Sequence, residues 1–213
     1  KNMKGKVMMV LVFGLFLMGS VAFAQDTIKI GAAVSLTGAQ SRFGNMVKNG
    51  DEVGKDVVND KGGIAVGTKK YKVAITYYDD QSDPQVSAKL TEKLITEDKV
   101  QFLLGPYSSG ITLATSAIAE KYDMINMACT ANADSVYTRG YKNVFSVLPP
   151  ASVILDSFQD MLKTFSPAPK KVAIVSPTDL FPLNVAEGAQ NYAKQAGLEI
   201  SYFEKYPKGA RDI

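Results

Sequence analysis

The chain has 213 residues, of which 46% are hydrophobic, so it is long enough to bury the core of one domain or of two small ones. Its 24 basic residues balance its 21 acidic ones once the three lysines at positions 1, 4 and 6 are set aside, which removes the electrostatic case for nucleic-acid binding. Histidine is absent and Cys129 is the only cysteine, which excludes histidine-based catalysis, histidine metal sites and an internal disulfide.

Residues 1–24 are typical of a secretory signal peptide. The three lysines precede a strongly apolar run from Val7 to Met18, and the small-residue motif AFA follows at positions 22–24. A membrane anchor is the alternative, but the run is shorter than the roughly 20 residues that a membrane-spanning helix needs. We therefore predict an exported protein that is cleaved before Gln25.

From Thr27 onward, predicted strands alternate with predicted helices. Short apolar runs typical of buried strands are TIKIGAAVSL, YKVAITYYDD, VQFLLG and MINMAC. The helix between the first two places Met46, Gly50, Val53 and Val57 on one face, and the next helix begins at Asp83-Pro84, an N-cap followed by proline in the first turn. Strands that alternate with helices of about 15 residues indicate βαβ units and a parallel sheet.

A second α/β segment follows the double proline at positions 149–150. ASVILDSFQDMLKTF predicts an amphipathic helix, KKVAIVS a strand, NVAEGAQNYAKQAGL a helix and EISYFEKYP another strand. We interpret residues 25–148 as a first ligand-binding lobe and residues 149–213 as the start of a second lobe that is incomplete in this chain, because so few elements cannot cover both faces of a parallel sheet.

Polar residues cluster where three predicted strands end. The segments are SLTGAQSRFG, GPYSSG and ACTANADS, and the carboxyl ends of parallel strands are where such sheets bind ligands. Phe43 and Tyr107 offer apolar walls there. The hydroxyl donors of the three segments are Ser35, Thr37, Ser41, Ser108, Ser109 and Thr130.

The segment GPYSSG admits four interpretations: a phosphate loop, a nucleophile, a carboxylate site or a helix cap. A phosphate loop requires a lysine, and none occurs between Lys99 and Lys121. A nucleophilic serine requires a base, and the chain has no histidine. Carboxylate capture by a helix N-terminus and capping by Ser108 both remain, and each of the two serines can serve one of these roles.

Cys129 also has two interpretations. It ends the strand MINMAC, where a reactive thiol would be accessible, but no basic neighbour in the sequence would lower its pKa. A small, buried residue that lines the site is the interpretation that we favour.

In order along the chain, the segments IKIGAAVSLTGAQSRFG, VNDKGGI, YYDDQSDP, LLGPYSSG, NVFSVLP and KVAIVSPTDLF…VAEGAQ closely resemble the branched-chain amino acid-binding proteins of ABC importers. These are type I periplasmic binding proteins, and the resemblance covers essentially everything after the predicted signal peptide. It implies an α/β fold with two Rossmann-like lobes, each with a parallel sheet, that close around a ligand in the cleft between them.

The resemblance also implies roles for individual residues. Ser109 matches the family serine that binds the ligand carboxylate through its N–H and hydroxyl groups, and Thr130 matches the threonine that contacts both carboxylate and ammonium. Ala128 matches the residue whose carbonyl oxygen accepts from the ammonium. Phe43 and Phe181 match aromatic residues of the two lobes. The predicted ligand-binding set is Ser109, Thr130, Ala128, Ser108, Tyr107, Phe43, Cys129 and Phe181.

One residue near Phe181 departs from the family pattern, and one family residue falls outside the given sequence. Pro182 stands where a glycine is usual, and the family's acidic partner for the ammonium would lie beyond Ile213. With that acid outside the given sequence, the same carboxylate site also fits aromatic or aliphatic carboxylates, and relatives in the superfamily bind amides or urea.

The function that the resemblance implies is capture of branched-chain or similar amino acids in the periplasm and their delivery to a membrane permease. The expected protein is a monomer without enzymatic activity, cofactor or metal. The alternatives are a binding protein for other carboxylates or amides, an extracytoplasmic ligand-sensing domain that continues into a transmembrane segment, and an exported enzyme.

Overall fold

The computed structural model describes residues 26–207 and 209–210, so the predicted signal peptide and its cleavage site lie outside the described residues. Two sheets are present in the described chain, one of six strands and one of two. The first sheet spans residues 27–146 and the second spans residues 171–206. The strands are β1 (Thr27–Val34), β2 (Ile64–Val66), β3 (Lys69–Asp79), β4 (Phe102–Leu104), β5 (Asn126–Ala128), β6 (Val144–Ser146), β7 (Lys171–Pro177) and β8 (Glu199–Tyr206).

In the part of the chain that the structure describes, six α-helices lie between these strands. They are α1 (Ser41–Asp60), α2 (Pro84–Thr96), α3 (Ser109–Lys121), α4 (Asp134–Tyr137), α5 (Asp156–Leu162) and α6 (Leu180–Gln195), and a 3-10 helix covers Ala151–Val153. The helix ends follow local rules. Asp83 caps α2 by accepting from the N–H groups of Gln85 (2.7 Å) and Val86 (2.9 Å), and α1 is followed by Gly62 and Gly63, both with positive φ.

The large sheet has the strand order β2-β3-β1-β4-β5-β6. All of its pairs are parallel except the β2–β3 hairpin, which the sequence did not indicate. The predicted parallel α/β architecture is therefore confirmed. β6 and α4 were also missed, because they lie in a segment that mixes polar and apolar residues and has no apolar run of the kind that marks β4 and β5.

The centre of the large sheet is covered on both faces. Ala33 packs with Leu94 of α2 and Leu103 of β4 on one face, whereas Ala32 and Val34 pack with Val47 of α1 on the other. Small residues in β1 let the helices approach. A Cβ at Gly31, for example, would lie 3.0 Å from the Leu94 side chain.

Helix α1 does not contact the sheet through its predicted apolar face, which carries Met46, Gly50, Val53 and Val57. Gly44 and Val47 are the buried residues, and a Cβ at Gly44 would lie 2.0 Å from the Ser35 carbonyl oxygen. Met46 and Val53 are 62% and 63% exposed. The predicted face does exist, but close backbone contact at Gly44 turns it away from the sheet.

The smaller sheet consists of the parallel pair β7–β8 with α6 between them in sequence. A Cβ at Gly188 would lie 1.9 Å from the Ser152 carbonyl oxygen, so α6 rests directly on the backbone of the 3-10 helix. The predicted helix over residues 151–165 is interrupted, since only Asp156–Leu162 is α-helical. The apolar stripe predicted for this segment is also exposed, with Phe158 at 52%, because α6 packs near Gln159 instead.

Candidate functional site

Three loops at one edge of the large sheet form the candidate site. β1, β4 and β5 are adjacent and parallel, so residues 35–40, 105–108 and 129–133 leave the same edge. Gly105 allows the last two loops to approach each other, because a Cβ at this position would lie 3.0 Å from the Cα of Ala128. The three strand ends singled out from the sequence are therefore neighbours in the fold.

The two serines at the start of α3 have different roles. Ser108 is the N-cap, and its Oγ accepts a hydrogen bond of 3.3 Å from the N–H of Ile111. Ser109 is only 4% exposed, and its Oγ accepts from the backbone N–H groups of Asn132 and Ala133, both at 3.2 Å. These bonds tie the loop after β5 to α3.

The same two bonds leave the Ser109 hydroxyl as a donor. A hydroxyl oxygen has two lone pairs, and both face an N–H group here. The structure shows no acceptor for the Ser109 proton in residues 26–207 and 209–210. The hydroxyl is therefore held in place by the protein and has one proton to give.

Thr130 has the opposite hydrogen-bonding character. Its Oγ1 donates to the Tyr107 carbonyl oxygen at 2.9 Å, which joins the loops after β4 and β5. The proton is engaged, whereas both lone pairs of Oγ1 can still accept. Thr130 is thus suited to accept from an ammonium or N–H group, and Ser109 is suited to donate to an anion.

Phe43 and Tyr107 form a stacked aromatic pair. Their ring centroids are 4.6 Å apart and their planes differ by 9°. Phe43 lies in the first turn of α1, and Tyr107 lies in the loop after β4. The guanidinium of Arg42 lies 5.9 Å from the Phe43 centroid, within range of a cation–π interaction.

These residues line a cavity of about 540 Å³ that reaches the first turn of α6. Its volume is in the range of small-molecule sites, and Asp179, immediately before α6, is the one charged residue of its lining. Neutral donors therefore line one side of the cavity, and an acid lies on the side of the smaller sheet. The lining residues are Ala39, Gln40, Phe43, Tyr107, Ser108, Ser109, Gly110, Thr130, Asn132, Leu148, Ile154, Asp179, Leu180, Phe181 and Pro182.

Two hydroxyls proposed as ligand donors are engaged elsewhere. Ser35 Oγ donates to Asp80 Oδ1, and Thr37 Oγ1 donates to Asp79 Oδ2, both at 2.7 Å. Burial raises the pKa of Asp80. Burial also acts to raise the pKa of Asp79, but hydrogen bonds from Thr37 and neighbouring backbone groups outweigh it and hold that pKa below its usual range. These hydroxyls anchor the loop after β1.

Cys129 lines a second, smaller cavity of about 330 Å³. This cavity shares Phe43, Tyr107 and Thr130 with the larger one. The Cys129 thiol donates to Asp51 Oδ1 at 3.8 Å, and burial together with the Asp51 carboxylate raises the pKa of the thiol to about 12. It therefore remains protonated at neutral pH, which supports the interpretation of Cys129 as a non-reactive wall residue.

The described residues contain no group of three or more cysteine, aspartate or glutamate side chains that could hold a metal ion. Within the same part of the chain, none of the helices is long and apolar enough to span a membrane.

The family model described as "Periplasmic binding protein" matches residues 27–213. The chain belongs to the periplasmic binding protein family. This confirms the family predicted from the sequence motifs. Among curated relatives, the Leu/Ile/Val-binding protein of Citrobacter freundii is 27% identical over 214 residues, which cover 100% of this chain and 56% of the relative.

Solved structures of family members share the fold. The branched-chain amino acid transporter substrate binding protein LivJ of Streptococcus pneumoniae, solved with isoleucine, matches with a TM-score of 0.74 and 25% identity over 88% of this chain and 52% of that one. A type 1 periplasmic binding protein of Bordetella pertussis matches with a TM-score of 0.73 and 26% identity over 88% of this chain and 51% of that one. The predicted type I fold is confirmed, and the chain spans about half the length of the curated relatives it matches.

The structure of this periplasmic binding protein brings most of the predicted site residues together. Phe43, Tyr107, Ser108, Ser109, Thr130 and Phe181 all line the larger cavity. Cys129 lines only the smaller cavity. Ala128 is fully buried at the end of β5 and lines neither cavity, so its role stays a prediction.

Three polar residues of the larger cavity were missed in the sequence. Gln40 and Asp179 immediately precede α1 and α6, and Asn132 lies in the loop held by Ser109. The rule that ligands bind at the first turns of helices after parallel strands could have found the first two. Nothing in the local sequence indicates that Asn132 would lie beside α3.

Proposed function

We propose that this chain is part of a periplasmic solute-binding protein of an ABC importer that captures branched-chain or similar amino acids and delivers them to a membrane permease. The observation that carries the proposal is the Ser109 hydroxyl: its oxygen accepts from two N–H groups, it has no acceptor for its proton among the described residues, and Ser109 lines a cavity at the N-terminus of α3. The names of the relatives support the ligand class.

The carboxylate of the ligand would bind at the start of α3. The first N–H groups of a helix have no partner within the helix, and the helix dipole favours a negative charge there. The lining contains no lysine or arginine, so these N–H groups and the Ser109 hydroxyl supply the attraction for the anion.

The ammonium of the ligand would bind between Thr130 and the part of the larger cavity that Asp179 lines, near the start of α6. Thr130 Oγ1 donates its proton to the Tyr107 carbonyl and keeps its lone pairs free to accept, and Asp179 adds a negative charge to the lining near α6. A zwitterion therefore meets donors at one end and acceptors at the other, which avoids the large cost of an unpaired buried charge.

The division into two lobes suits capture by closure. We assign residues 25–148 to the first lobe and residues 149–213 to the start of the second, with residues 1–24 as the signal peptide that directs export. The cavity lies between the loops of the large sheet and Phe181 of α6, so movement of α6 would open or close it. The closed form is the one that would dock on the permease, and no chemical conversion of the ligand is involved.

An aromatic carboxylate is the second candidate ligand class, and the Phe43–Tyr107 pair favours it. Two parallel rings with centroids 4.6 Å apart present an apolar surface on which a flat ring can stack. Such a ligand would use the same carboxylate site at α3 and would leave the lone pairs of Thr130 Oγ1 without a donor from the ligand.

A thermal-shift experiment on the full-length mature protein, beginning at Gln25, tests the proposal. A ligand that binds only the folded state raises the melting temperature, by an amount equivalent to about 2.7 kcal/mol at 100 times its Kd. We expect leucine, isoleucine or valine to stabilise the protein, and leucinamide, which lacks the carboxylate, to have no effect. No stabilisation by any amino acid or aromatic acid would refute the proposal. Stabilisation by 4-methylpentanoate but not by leucine would move the ligand class to ammonium-free carboxylates.

A further inference from the structure

Two consecutive residues in the turn after β3 have a strained backbone. Gln81 and Ser82 have φ angles of 56° and 64°, in the left-handed region that residues other than glycine rarely adopt. Two carboxylates hold them there, because Asp79 Oδ1 accepts from the Gln81 N–H at 2.9 Å and Asp80 Oδ1 accepts from the Ser82 N–H at 2.8 Å. Strain that the surrounding structure maintains in this way is characteristic of segments that support a functional site.

The side chain of Ser82 bridges two groups of the loop after β1. Its Oγ donates to the Thr37 carbonyl oxygen at 2.8 Å and accepts from the Gln40 N–H at 3.0 Å. Thr37 and Gln40 are three positions apart, the spacing at which a direct bond between carbonyl and N–H often closes a turn. The Ser82 hydroxyl takes the place of that bond. Gly38 makes room for it, since a Cβ at this position would lie 2.7 Å from Ser82 Oγ.

Gln40 is the residue from which α1 starts. It is the N-cap, and its carbonyl oxygen accepts from the N–H groups of Phe43 at 3.0 Å and Gly44 at 2.9 Å. The position of Gln40 therefore sets the first turn of α1, in which Phe43 stacks on Tyr107 in the wall of the larger cavity. Ser82 itself lines neither the larger nor the smaller cavity.

We infer that Ser82 is a positioning residue of the proposed ligand site: its hydroxyl fixes Gln40 and thereby holds Phe43 against Tyr107. Without this hydroxyl, the Thr37 carbonyl and the Gln40 N–H must close on each other or bind water, and either change shifts the start of α1. Binding residues depend on such support from behind for their exact placement. The inference rests on the proposed function and deepens it, since it names a residue that promotes binding without touching the ligand.

Ser82→Gly and Gln81→Gly form a matched pair of variants. Each replaces a residue of positive φ by glycine, which adopts this conformation without strain, so the changes in backbone strain and in chain flexibility are alike. Only Ser82→Gly removes the bridging hydroxyl. Amide hydrogen exchange of the full-length mature protein without ligand measures how firmly Gln40 is held. Isothermal titration calorimetry with leucine, isoleucine and valine measures the affinity of the folded protein, which a loss of global stability alone does not change.

We expect the Gln40 amide to exchange faster in Ser82→Gly than in Gln81→Gly. For the amino acids that the wild-type protein binds, Ser82→Gly should lower the affinity roughly threefold to thirtyfold, whereas Gln81→Gly should bind as wild type does. The double variant with Phe43→Leu tests the route. If Ser82 acts through Phe43, Ser82→Gly causes no further loss of affinity once Phe43 is replaced.

Three results would each overturn the inference and leave the proposed function standing. They are equal exchange of the Gln40 amide in the two glycine variants, wild-type affinity in Ser82→Gly, and an undiminished effect of Ser82→Gly in the Phe43→Leu background. If none of the three amino acids binds to the wild-type protein, the proposed amino-acid ligand is wrong, and the role of Ser82 in binding it is wrong as well.

Discussion

Replacement of Ser109 by alanine removes an oxygen atom that two buried backbone N–H groups use as their acceptor. Asn132 is 3% exposed and Ala133 is 0% exposed, so water cannot take the place of the missing oxygen. An unsatisfied buried donor costs about 1–3 kcal/mol. Both bonds are 3.2 Å long, at the long end of the usual range, so the lower half of that interval applies to each. The sum predicts that Ser109→Ala lowers the free energy of unfolding by about 2–4 kcal/mol.

Ser108→Ala is the matched control for this change. It removes a neighbouring hydroxyl that accepts a single cap bond of 3.3 Å, and the expected loss is about 0.5–1 kcal/mol. Urea unfolding of the full-length protein, followed by circular dichroism, measures both variants, with the m-value as a check that the denatured state is unchanged. A loss for Ser109→Ala no larger than that for Ser108→Ala would refute the reasoning from the two N–H groups.

The same variant separates anchoring from binding. Ser109→Ala also removes the proton that we assign to the ligand carboxylate, which should weaken binding by about 1–3 kcal/mol in calorimetric titrations with the ligand found by thermal shift. A variant that loses stability but keeps wild-type affinity would show that Ser109 only holds the loop after β5.

Three further predictions concern positions around the site. Thr130→Val keeps the side-chain shape but leaves the Tyr107 carbonyl without its donor. We expect this variant to bind an amino acid more weakly by about 1–3 kcal/mol and to bind ammonium-free carboxylates as tightly as wild type does. Isothermal titration calorimetry measures both affinities. Gly44→Ala places a Cβ 2.0 Å from a backbone oxygen, and we expect it to lower the free energy of unfolding in urea by about 3 kcal/mol. Gly54→Ala is the control on the same helix. A Cβ at Gly54 meets nothing within 4 Å, so this variant should raise the free energy of unfolding by roughly 0.5–1 kcal/mol. The raised pKa of Asp51 means that its contribution to stability is complete below pH 3.8 and is lost as the pH rises through about 6. Asp51→Leu should therefore gain stability over wild type between pH 4 and pH 7. The rise from 3.8 to about 6 corresponds to about 3 kcal/mol, and solvent screening of this partly exposed carboxyl reduces the gain to roughly 1–2 kcal/mol. If the free energies of unfolding of wild type and Asp51→Leu differed by the same amount across this pH range, the raised pKa of Asp51 would be contradicted.

Much of the fold followed from local patterns in the sequence. Apolar runs such as that of β1 predict buried strands, and the pair Asp83-Pro84 predicts the start of α2, because capping and backbone restriction depend only on neighbouring residues. The alternation of these elements predicts a parallel sheet, and the carboxyl ends of its strands predict where a ligand binds. Phe43, Ser109 and Thr130 were found in this way or by resemblance, and they line one cavity.

The tertiary structure decided how each polar group is used. Ser35 and Ser109 are both hydroxyls at strand ends, yet one donates to the buried Asp80, whereas the other is held by a loop more than 20 residues away. The contact of Asp51 with Cys129 joins residues 78 positions apart. Hydrogen bonds of this kind depend on which segments the folded chain brings together, and local propensity carries no information about that. The sequence alone therefore determined the type of fold and predicted the edge of the sheet at which we propose that a ligand binds. Only the packing of distant segments decided which hydroxyl donates, which one accepts, and which carboxylate oxygens are buried without a hydrogen-bond partner among the described residues.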